Sequence, residues 1–107
     1  MATVAKRKKK LVLSREVKAF AKERRLTPHL PKIIEVLHEL FGDATKVNVA
    51  VHHDPEIADL SWLLFEVQVP WKTTEQILQG ERDWNRATAA VCPKPLLTEF
   101  VLLLRRR

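Results

Sequence analysis

At 107 residues, 46% of them hydrophobic and 30% charged, the chain is the size of one ordinary domain and apolar enough to fold around a core of its own. A single cysteine excludes an internal disulfide framework and points to a reducing, cytoplasmic setting, and no apolar run approaches the ~18 residues that a bilayer span requires. The net charge of +6 sits at the ends: residues 1 to 25 hold ten Lys/Arg against two Glu, residues 26 to 104 hold six against eleven carboxylates, and Arg105 to Arg107 are basic again.

Residues 1 to 12 contain the run Lys6, Arg7, Lys8, Lys9, Lys10 and have no apolar periodicity, so they read as a flexible basic arm, with one α+β domain over 13–107. The three apolar residues Leu11 to Leu13 are too few for the core of a signal peptide. Ser14 offers a helix N-cap, and Val17, Phe20 and Ala21 give a short apolar stripe on a helix predicted over 14–25. After the break at TPHLP, the spacing of Leu30, Ile33, Ile34, Leu37, Leu40 and Phe41 predicts a second helix, which Gly42 ends.

Lys46 to His52 alternates, with Val47, Val49 and Val51 on one face, and Trp62 to Val69 alternates with Leu63, Phe65, Val67 and Val69 inward. The two are expected to pair antiparallel. Thr73 and Gln76 form a capping box for a third helix with Ile77, Gly80, Trp84, Ala87 and Val91 on one stripe, closed by Pro93 and Pro95. LLTEFVLLL, residues 96 to 104, reads as a last strand. The expected fold is α+β, helices on a small, mainly antiparallel sheet in the order α-α-β-β-α-β.

That last strand is apolar in both directions, and a three-stranded sheet with a few helices has too little cover for both. The expected function is therefore a non-enzymatic protein-interaction module whose docking residues are Trp62, Leu64, Phe100, Leu102 and Leu104, binding another protein or a second copy of itself. A second reading is nucleic-acid binding through Lys6, Arg7, Lys8, Lys9, Lys10, Arg15, Lys18 and Lys22, joined by Arg105 to Arg107, with Trp62 and Trp71 as surface stacking candidates.

The stretch AVHHDPEIADLSW invites a metal or catalytic reading. His52 and His53, adjacent at a strand end, point apart, however, and Asp54-Pro55 is a turn opening, so a solvated strand connection is the plainer account and no metal or cofactor is expected. Asp54 and Glu66 with Gln68 echo the carboxylates of a Mg²⁺-dependent nuclease, in which paired carboxylates hold the ion that activates water. Gln68 stands where that pattern has a lysine, so this is a degenerate variant at best. Cys92, between Val91 and Pro93, is expected to be a packed small residue rather than a nucleophile.

The order DPEI, WLLFEV, TTEQILQGERDW and a closing apolar strand resembles a group of small bacterial proteins with a D-P-E loop, a W-L strand and an acidic helix ending in tryptophan. The resemblance spans about residues 30 to 104. Such proteins are associated with two-gene modules of toxin-antitoxin type, which implies an antitoxin-like, partner-binding role without a family active site. Gly80 and the basic residues between 82 and 86 depart from the pattern, and the KRKKK arm lies outside it.

Overall fold

The computed structural model describes residues 11–70 and 72–106. The basic run Lys6 to Lys10, Trp71 and Arg107 therefore lie outside the described residues, and with them most of the expected arm. Leu11, assigned to that arm by the sequence, is partly buried and packs against the core together with Leu13.

The elements follow the expected order: α1 (Arg15–Glu23), α2 (Leu30–Leu40), β1 (Lys46–His53), β2 (Ser61–Val69), α3 (Thr74–Val91), a 3-10 segment (Lys94–Glu99) and β3 (Phe100–Arg106). Local chemistry sets the ends. Ser14 Oγ accepts the backbone N–H of Val17 at 3.1 Å and starts α1. At the other end of α1 the N–H of Leu26 reaches the carbonyl of Ala21 and that of Arg25 reaches Lys22, a Schellman closure. Arg25 sits in its left-handed position with φ 62°. The closure stops α1 at Glu23, two residues before the expected end at Arg25. Thr73 and Gln76 exchange side-chain to backbone hydrogen bonds, so the capping box forms as read.

The sheet is mixed rather than mainly antiparallel. Its order is β1-β2-β3, with β1 antiparallel to β2 and β3 parallel to it. The parallel pairing follows from α3, which carries the chain from the end of β2 back to the start of β3. Along the register, Val49 faces Phe65 and Phe65 faces Leu102, while Ala50 faces Leu64 and Leu64 faces Val101. Residues directly opposite in register share a face, so these pairs define the two sides of the sheet.

Every sheet residue of the hydrophobic core comes from the side that bears Val49, Leu63, Phe65, Val67, Val69 and Phe100. At its centre Phe65, fully buried, meets Trp84 of α3 at 5.6 Å and Phe100 at 6.2 Å between ring centroids, both tilted. Such aromatic pairs add about 0.5–1.5 kcal/mol each beyond the area they bury. Val17, Phe20 and Ala21 of α1 and Ile33, Val36 and Leu37 of α2 complete that core. Arg24 ties α1 to the end of the 3-10 segment through Glu99 at 3.0 Å, with its guanidinium 4.6 Å from the centre of the Phe20 ring. Among the described residues no helix is long and apolar enough to cross a membrane.

Candidate functional site

The histidine-carboxylate stretch is the link of a hairpin. Asp54 Oδ1 accepts the backbone N–H groups of Glu56 and Ile57 at 2.8 and 2.9 Å, and the Asp54 N–H donates to the Leu60 carbonyl at 2.8 Å. Its carboxylate is thus spent on the turn. His53 Nδ1 lies 2.8 Å from Ser61 Oγ across the strands, and His52 stacks on Trp62 with ring centroids 6.4 Å apart. Among the described residues no cluster of His, Cys, Asp and Glu is placed to share a metal ion.

The nuclease-like reading fails on spacing. Asn48 is the register partner of Glu66, and His53 that of Ser61. Asp54 therefore lies six positions along the ladder from Glu66, roughly 20 Å at about 3.3 Å per residue, too far for one ion to bridge. Glu66 instead holds Arg105 at 3.2 Å. Gln68 contributes its backbone carbonyl, which accepts from the N–H and hydroxyl of Thr45. Cys92 is buried, and burial pushes its thiol above the ordinary value, which favours the protonated form over the nucleophilic thiolate.

The five expected docking residues do not share a surface. Phe100 is buried against Phe65, and Leu102 and Leu104 pack against the core on the same side. Only Trp62 and Leu64 lie on the second face. There the structure places Val101 and Leu103 beside them, each 37% exposed, with Ala50 in register across β2. Leu64 is only 8% exposed yet stands outside the core cluster. Its in-register neighbours Ala50 and Val101 shield it laterally.

The second face is thus an apolar stripe of Trp62, Leu64, Val101 and Leu103. Its rim carries both signs of charge: the Glu66–Arg105 pair on one side, exposed Lys46 on the other. The sequence reading missed Val101 and Leu103 because both alternations of β3 are apolar. Arg105 and Arg106 continue the two alternations equally, so the charged end of β3 does not separate them, and only the register with β2 does.

Of the expected nucleic-acid residues within the described part, Arg15, Lys18 and Lys22 are exposed on α1. Lys18 and Lys22, with Arg25, border a groove between α1 and α2 of about 990 Å³.

The chain matches no family model, no curated protein and no solved structure. The antitoxin-like expectation consequently rests on the sequence resemblance alone, and the functional reading rests on these two surfaces.

Proposed function

We propose that this chain is a non-enzymatic protein-interaction module whose helices form one layer on the core side of the sheet and whose second sheet face docks a second copy of the chain. One observation carries the reading: the core cluster draws its sheet residues from one side only, while the other presents Trp62, Val101 and Leu103 around a nearly buried Leu64. An apolar stripe facing water is costly unless something covers it. The charges of both signs on its rim favour a self-complementary, two-fold contact, in which each copy meets the same patch of the other.

The size of the face sets the expected strength. Three strands of seven to nine residues span roughly 25 by 14 Å at about 3.3 Å per residue and 4.8 Å between strands. Two such faces cover on the order of 700 Å² in all, below the ~1,200 Å² of specific, stable interfaces, which suits a weak, concentration-dependent dimer rather than an obligate one. The single buried cysteine fits a cytoplasmic home for it.

Sedimentation equilibrium from low micromolar to millimolar concentration tests the proposal. The expected result is a mass that climbs from 12.4 kDa toward twice that value. Leu103→Lys should stay monomeric throughout and melt at the wild-type temperature, since the side chain lies outside the core. A wild-type chain that is monomeric over the whole range, or a dimer that survives Leu103→Lys, would sink the proposal.

A further inference from the structure

The groove between α1 and α2 is unlike the sheet face. Its floor is apolar, built from Leu13, Leu30, Pro31 and Ile34. Among the described residues its rim carries one sign of charge only, from Lys18, Lys22 and Arg25, and no carboxylate lines it. None of the three cations forms an ion pair among the described residues, although Arg24, next in the chain, does. Lys18 and Lys22 stand one turn apart on α1, where like charges destabilise a helix by a few tenths of a kcal/mol. Arg25 holds its place at φ 62°, a backbone position that costs an L side chain about 1–2 kcal/mol relative to glycine. Three uncompensated cations beside a greasy trough, one of them kept at a strained position, call for an amphipathic anion.

We infer that this groove receives an acidic amphipathic helix from a partner protein, laid with its apolar stripe on the floor and its carboxylates along the basic rim. The cations choose this occupant over others. Lys18 and Lys22 lie one turn apart, about 6 Å of rise, and Arg25 stands just past the helix end, so a row of carboxylates at helical spacing suits all three better than the single head group of a fatty acid does. The apolar floor gives nothing to a phosphate backbone, whereas an apolar floor beside a charged rim is what helix-in-groove recognition uses. The chain's own run Lys6 to Lys10 has the wrong sign for this rim.

A labelled 14-residue peptide with leucines at i, i+3, i+4, i+7 and i+11 and glutamates elsewhere serves as the probe, titrated with the full chain by fluorescence anisotropy. Its comparators are a twin with lysine for every glutamate, myristate, and a 20-base-pair DNA duplex. The acidic peptide should bind at least tenfold tighter than its lysine twin, perturb backbone amide resonances of α1 and α2, and weaken at least tenfold against K18E/K22E, whose two sites are exposed and leave folding intact. Leu103→Lys should leave that binding unchanged. Three results overturn the inference: no preference for the acidic twin, binding indifferent to K18E/K22E, or displacement of the peptide by myristate or the duplex at lower concentration than by unlabelled peptide.

Discussion

Arg25 occupies the left-handed position of a Schellman closure, where glycine carries no Cβ penalty. Arg25→Gly relieves that crowding but gives the unfolded chain more freedom, and the two effects together should leave a net gain of about 0.5–1 kcal/mol. Thermal melting should therefore rise by a few degrees while the acidic probe peptide binds more weakly. A variant that is both less stable and equally avid contradicts the role assigned to the side chain. Other single positions were legible because their chemistry is local. Asp54-Pro55 announced a turn, and Asp54 makes one with two backbone N–H groups. Trp84, on a helical stripe, is buried as read. Arg25 gave no signal, because arginine at a positive φ is dictated by the closure around it and not by its own preference.

At the scale of elements, α2 and α3 and the first two strands were readable from periodicity, and the structure extends each strand by only one residue. The end of the chain was not. Residues 94 to 99 form a 3-10 segment, so β3 begins at Phe100 and runs on through Arg105 and Arg106. With every position from 100 to 104 apolar, alternation says nothing about which side faces the core. Only the parallel register with Leu63, Phe65 and Val67 decides it. The packing of α3 on that strand supplies a sharper test. A Cβ placed on Gly80 lies 3.2 Å from both Leu104 Cδ1 and the edge of the Phe41 ring. Glycine inside a helix costs about 1 kcal/mol relative to a good helix former. Overpacking at so close an approach costs about 1–3 kcal/mol and wins for a large side chain. Gly80→Leu should lower the urea midpoint despite its better helix propensity; an unchanged or higher midpoint means that α3 has more room than the contact implies.

For the molecule as a whole, element order and α+β class could be read from pattern, but the mixed sheet could not, since pairing direction follows from where α3 returns the chain. The basic ends were legible as a charge asymmetry, whereas the groove arises only when Leu13 and α1 fold beside α2. The parallel ladder also has a kinetic side. Its partners, such as Leu63 and Phe100, stand 37 positions apart, and loop-closure entropy must be met before their hydrogen bonds form. Until α3 has docked, the central strand shows a bare row of amides and carbonyls between two greasy flanks. A folding chain is then a template for its neighbours. Recovery on dilution from denaturant should therefore drop steeply with chain concentration while native material at the same concentration stays clear; equal yields at all concentrations mean that the ladder closes faster than molecules meet.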